Sequence, residues 1–128
     1  MKILVVDDTP DIRMLLVSVL QRADFEVIEA ADGTTVEAWV KDVNPQLIVL
    51  DLMMPGMDGW DTLAQLKSNP ESAHIPVIIS SALSEEEDLE KAGVMGAVDY
   101  VPKPWDAKDL VARIRKAISA AAEQNEAA

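Results

Sequence analysis

Cysteine is missing from this 128-residue chain, and histidine, tyrosine and phenylalanine occur once each. Without cysteine there are no disulfides and no thiolate zinc sites, a composition that suits a reducing compartment. Basic residues are scarce as well, 11 against 23 acidic ones, for a formal net charge of −12. Such a surface repels phosphate backbones and anionic membranes, so direct nucleic-acid binding and membrane binding are both read as absent. Long apolar runs are also lacking. Apolar residues reach 49% of the chain, but no stretch attains the roughly 18 to 20 residues a membrane span needs. The opening MKILVVDD has a lysine and a short apolar run, yet aspartates stand where a signal peptide carries its small-residue cleavage site. A soluble cytoplasmic protein of one domain, large enough to enclose a sizeable core, is expected.

What is present alternates. KILVV (residues 2–6), EVIEA (26–30), QLIVL (46–50), PVIIS (76–80) and AVDYV (97–101) are short β-rich runs. Segments of helical period separate them. The first opens with Thr9 as N-cap and Pro10 at the first helical position, then repeats Ile12, Leu15, Leu16, Val19 and Leu20 on one stripe. Val36, Trp39, Val40 and Val43 mark a second helix, and Trp60, Leu63 and Leu66 a third after Asp58. Ser84 with Glu87 reads as a capping box for a fourth, and Leu110, Val111, Ile114 and Ile118 define a fifth. Strict β-α alternation predicts an α/β fold, a parallel sheet covered by helices on both faces. One domain over residues 1–121 is expected. Residues 122–128 form either a fraying helix end or a linker stub.

The stretch LIVLDLMMPGMDG places Asp51 after an apolar run fit for a buried strand. An isolated buried carboxylate is costly, so such a group is paired, metal-bound or protonated. In open α/β sheets function gathers beyond the carboxyl ends of the strands, where the winding direction reverses. There the sequence sets Asp7 and Asp8, Asp51, Ser80 and Ser81, and Lys103. Three carboxylates so close repel one another, raising at least one pKa unless a cation enters. Oxygen ligands without histidine or cysteine suit Mg2+, which accepts one or two carboxylates plus a phosphoryl oxygen. One carboxylate is then left as a nucleophile able to form an aspartyl phosphate, a transfer that relies on positioning and charge neutralisation.

The set VVDD, VLDLMMPGMDG, IISSA and YVPKP resembles the receiver domain of two-component response regulators, over residues 2 to about 121. The resemblance implies a doubly wound flavodoxin-like (βα)5 sandwich with strand order 2-1-3-4-5. It implies Asp51 as phosphoacceptor, with Asp7, Asp8 and the backbone carbonyl of Met53 holding Mg2+. Lys103 pairs with the phosphoryl group, Ser81, preceding Ala82, is the switch hydroxyl, and Tyr100 is the aromatic that swings inward. Lys103–Pro104 corresponds to the family's cis peptide bond, and Trp105 stands where relatives usually carry phenylalanine. Ser80 competes with Ser81 for the hydroxyl's role. Apolar Met53 and Leu83, at positions that tune water access in relatives, imply slow self-dephosphorylation.

The implied phosphodonor is a histidine kinase or histidine phosphotransfer protein. Met14, Val17 and Gln21 lie off the core stripe of the first helix and offer it a docking patch, with ordinary burial as the rival reading. The implied output is a protein target on the face of the fourth helix, fifth strand and fifth helix. With no room for an output domain, a single-domain regulator acting through protein contact is expected. Plainer roles exist for single residues: Asp7 or Asp8 as a cap of the first helix, Asp51 in a turn announced by Pro55, Gly56 and Gly59, His74 at the surface, Trp39 and Trp60 in packing. Three rival functions make different demands on these positions. A haloacid-dehalogenase-like phosphatase needs an acid two residues after its nucleophile, where Met53 stands. A dinucleotide or flavin binder needs a glycine-rich first turn, where VVDDTPD stands. A phosphorylation-independent interaction module would not need the Asp, Ser and Lys set.

Overall fold

Each β-rich run becomes a strand and each segment of helical period a helix. The computed structural model describes residues 1–30, 36–52, 59–82 and 85–127. Its elements are β1 (Lys2–Val6), α1 (Pro10–Arg22), β2 (Glu26–Ala30), α2 (Val36–Val43) and β3 (Leu47–Leu50), then α3 (Gly59–Ser68), β4 (Val77–Ser81), α4 (Glu86–Val94), β5 (Asp99–Pro102) and α5 (Ala107–Ala127). The sheet has the order β2-β1-β3-β4-β5 and every pairing is parallel. Because β1 lies between β2 and β3, the winding direction reverses there, and a crevice opens at the carboxyl ends of β1 and β3.

Strand alternation divides the core in two. Leu4, Val6, Ile48, Leu50, Val77, Ile79 and Tyr100 face one layer, together with Leu63 and Leu66 of α3. Ile3, Val5, Leu47, Val49, Ile78 and Val101 face the other, against Leu16 and Leu20 of α1 and Leu110, Ile114 and Ile118 of α5. Both faces of β3 and β4 are buried, which is why their sequences run apolar without interruption.

Several local expectations change. Leu15, placed on the core stripe, is 56% exposed. The helix packs through Leu16 and Leu20, and a neighbouring residue is rotated about 100° away from that line. Pro10 does occupy the first helical position, with Thr9 as N-cap, but the Thr9 side chain makes no capping bond. In α4 the N-cap is Glu85 rather than Ser84, and Ser84 itself lies outside the described residues. Gly59, read as part of a loop, is the first residue of α3. A Cβ there would stand 2.4 Å from Leu52 Cα and 2.5 Å from the Asp51 carbonyl oxygen, so only glycine lets α3 start against the end of β3. The Gly59 N–H donates to the Leu52 carbonyl at 3.1 Å. At the far end, α5 continues through Ala127, so most of the terminal segment is helical.

Candidate functional site

Ladder bonds continue one residue past the strand ends. The Asp7 N–H donates to the Ala30 carbonyl at 3.2 Å, that of Asp51 to Val6 at 2.9 Å and that of Lys103 to Ser81 at 2.8 Å. Strand alternation therefore persists to the rim and sorts the polar residues into rows. Asp7, Asp51, Ser80 and Lys103 each lie two residues beyond a member of the α1/α5 core, namely Val5, Val49, Ile78 and Val101. Asp8 and Ser81 follow Val6 and Ile79 of the opposite core.

Lys103 links the two aspartates of the first row. Its Nζ donates to Asp7 Oδ2 at 2.9 Å and to Asp51 Oδ2 at 3.3 Å. Asp7 is 2% exposed and Asp51 4%, so both ion pairs sit in a region of weak screening. Asp7 is not the cap of α1, a place taken by Thr9, but it holds that residue. Its Oδ1 accepts the Thr9 N–H at 2.9 Å, tying down the start of α1, while its carbonyl accepts from Arg13 Nη1 at 2.7 Å. Arg13, which also pairs with Glu29, escaped the sequence reading, because nothing in its local pattern marks it.

Asp7, Asp8 and Asp51 each present a carboxylate oxygen within 4.8 Å of the others. Buried Asp8 Oδ1 has no hydrogen-bond partner among the described residues. A buried anionic oxygen left unsatisfied, in an all-oxygen donor set, fits a hard divalent cation such as Mg2+. Met53, named for its backbone carbonyl, lies outside the described residues, as does Leu83.

Ser81 is fully buried and hydrogen-bonds the Tyr100 side chain. Tyr100 is itself only 7% exposed, so the ring expected to swing inward already lies inside. Burial pushes the phenol above its ordinary pKa, with the Ser81 bond acting in the opposite direction. Ser80 is buried too, and its Oγ has no partner among the described residues. The Lys103–Pro104 bond is cis, and Trp105 packs half-buried against the α1/α5 core.

Farther out, Met14 is 67% exposed, while Val17 is only half-buried and Gln21 is exposed. Leu15 joins Met14 at the surface, so the apolar patch on α1 differs from the one anticipated. On the other side Leu89, Val94 and Val98 are exposed, and Arg113 pairs with Asp99 at 2.8 Å and Asp109 at 3.0 Å. His74 is exposed, and Trp60 is half-buried beneath Lys91, whose Nζ lies 4.3 Å from the ring centroid. The side chain of Trp39 lies outside the description. No helix among the described residues is long and apolar enough to cross a membrane.

The family described as response regulator receiver domain matches residues 3–115. The phosphate regulon transcriptional regulatory protein PhoB of Escherichia coli is 39% identical over 114 residues, 89% of this chain and 50% of PhoB. The DNA-binding dual master transcriptional regulator RpaA of Synechocystis is 37% identical over 89% of this chain and 47% of its own length. The chain thus spans about half the length of these relatives. Among solved structures, the Francisella response regulator 1452 receiver domain superposes with a TM-score of 0.85 at 30% identity, covering 92% of this chain and 96% of that one.

Proposed function

The chain belongs to the response regulator receiver domain family, and on that premise we propose that Asp51 accepts a phosphoryl group from a phosphohistidine and that a protein partner reads the result. The observation that carries this reading is the shared ion pairing: one lysine held by two buried carboxylates, with a third carboxylate within 4.8 Å. Asp7, Asp8, Asp51 and the Met53 carbonyl would hold Mg2+. When bound, the ion supplies positive charge that offsets the carboxylates and polarises a phosphoryl oxygen.

An oxygen of Asp51 bonds to phosphorus as the bond from phosphorus to the donor's histidine nitrogen breaks. Lys103 shifts from the carboxylates to a phosphoryl oxygen, placing its charge where the transfer needs it. Ser81 donates its hydroxyl to another phosphoryl oxygen, a charge-assisted bond that draws the end of β4 toward Asp51. Since Tyr100 is already inside, its part is to follow Ser81 rather than to enter from solvent. The consequence is a changed surface on α4, β5 and α5, where a downstream protein binds. Partner binding and phosphorylation reinforce one another by linkage. The donor, a histidine kinase or histidine phosphotransfer protein, docks on α1 at Met14 and Val17. At −12 net charge the domain itself makes no nucleic-acid contact.

Incubation with acetyl phosphate and Mg2+, followed by intact-mass measurement, tests the reading. One phosphoryl group should be gained by the wild type and none by Asp51→Asn. An unlabelled wild type would leave a phosphorylation-independent interaction module. Beryllium fluoride should move the amide NMR shifts of residues 81–105, and unmoved shifts would reject the switch.

A further inference from the structure

Ser80 has no task in the scheme above, yet its position is unusual. It is 2% exposed, and its Oγ has no hydrogen-bond partner among the described residues. A buried hydroxyl without a partner is destabilising compared with an apolar group of the same shape, so its presence calls for a use elsewhere in the working cycle. Its surroundings name one. β3 pairs with β4 through Val49 opposite Ile78 and Leu50 opposite Ile79, so the next step along both strands sets Asp51 beside Ser80. Both lie on the α1/α5 side of the sheet, in the same row as Lys103. Neighbouring strands run about 4.8 Å apart, which leaves a serine hydroxyl within a rotamer change of the adjacent carboxylate.

We propose that Ser80 is the stand-by hydrogen-bond donor to the Asp51 carboxyl group during phosphoryl transfer. The inference rests on Asp51 being the phosphoacceptor. At rest, Asp51 Oδ2 accepts from Lys103 at 3.3 Å. When Lys103 leaves for the phosphoryl group, the Ser80 hydroxyl takes over at the carboxyl. In hydrolysis a water oxygen bonds to phosphorus and the bond from phosphorus to the Asp51 oxygen breaks. The electron pair stays on the carboxylate, and both water protons depart with dihydrogen phosphate. Charge returns to the Asp51 oxygen as that bond loosens, so a donor there is worth more in the transition state than in the phosphorylated ground state. Loading passes through a similar arrangement in reverse, with Asp51 still carrying most of its charge, so Ser80 serves both directions.

The test compares Ser80→Val with Ser80→Thr: each adds the same methyl branch to the serine side chain, and the two differ only in carrying a second methyl or a hydroxyl. Measurements are the melting temperature without Mg2+, the rate of loading from acetyl phosphate, and the rate of loss of the label. Ser80→Val should melt higher than Ser80→Thr, because a methyl replaces an unpartnered hydroxyl in side chains of the same shape. It should also load and hydrolyse more slowly than the wild type by roughly three- to tenfold, the effect of one ordinary hydrogen bond on a barrier. Ser80→Thr should restore both rates to within about twofold. The inference is overturned if Ser80→Val keeps wild-type rates, if the two variants slow equally, or if Ser80→Val melts lower than Ser80→Thr. A wild type that takes no label rejects the phosphoacceptor reading itself, and this inference with it, whereas a labelled wild type with unchanged variant rates rejects Ser80 alone.

Discussion

Replacing Asp51 by Asn should make the magnesium-free protein more stable, although Asp51 is the residue on which the proposed chemistry depends. Among the described residues, Asp7 and Asp8 each bring a carboxylate oxygen within 4.8 Å of Asp51, and the Lys103 ammonium lies at 3.3 Å. With an effective dielectric near 20, each carboxylate repels Asp51 by about 3.5 kcal/mol, and Lys103 attracts it by about 5 kcal/mol. The balance is about 2 kcal/mol against the charge, before any desolvation of a group that is 4% exposed. For a domain of this size that corresponds to a rise in melting temperature of roughly 5 to 10 °C for Asp51→Asn. Differential scanning calorimetry in EDTA measures it directly. Adding Mg2+ should then raise the melting temperature of the wild type more than that of the variant, because a ligand stabilises the state it binds and the variant has lost one ligand. A variant that melts at or below the wild type in EDTA would refute the idea that the site is held together against its own repulsion. Equal Mg2+ shifts in the two proteins would separate Asp51 from the ion.

Three other outcomes follow from single features. Gly59→Ala should lose more than about 2 kcal/mol in urea unfolding, because its Cβ would meet backbone atoms of Asp51 and Leu52; unchanged stability would show that α3 can shift. Tyr100 is the only tyrosine in the chain, so ultraviolet titration reads its ionisation alone. Burial raises its pKa above 10.0, so the associated stability is fully present below that pH and is lost as pH climbs through the folded-state value; ionisation at or below 10.0 would contradict the buried setting. Met14→Glu with Val17→Glu should slow transfer from a cognate phosphohistidine donor about tenfold or more while leaving acetyl phosphate labelling intact, and equal transfer by both proteins would remove α1 from the donor interface.

Much of the fold was legible because the local signals agreed. Valine- and isoleucine-rich runs of four or five residues cannot be helices of useful length, and the segments between them repeat at helical spacing. Strand ends nonetheless moved by one or two residues, β5 beginning at Asp99 rather than Ala97. Leu15 marks the limit of the pattern: its spacing fits the stripe of α1, but which edge of a stripe touches the sheet depends on how the helix is rotated in its seat. Glu85 supplanted Ser84 as the cap of α4, its backbone extended where that of the residues after it is helical.

For the site, the sequence by itself determined the inventory: three aspartates, two serines and a lysine at or within two residues of the ends of strand-like runs. Residue type and position relative to a strand end are local properties, so they survive without coordinates. Only the tertiary structure decided the partnerships. It paired Lys103 with Asp7 and Asp51 across 96 and 52 residues of chain, buried Tyr100 against Ser81, and set Ser80 rather than Ser81 in the row of Asp51. Those relations depend on strand order and register. Hydrogen bonding between segments far apart in the chain creates that register, and no single segment carries it.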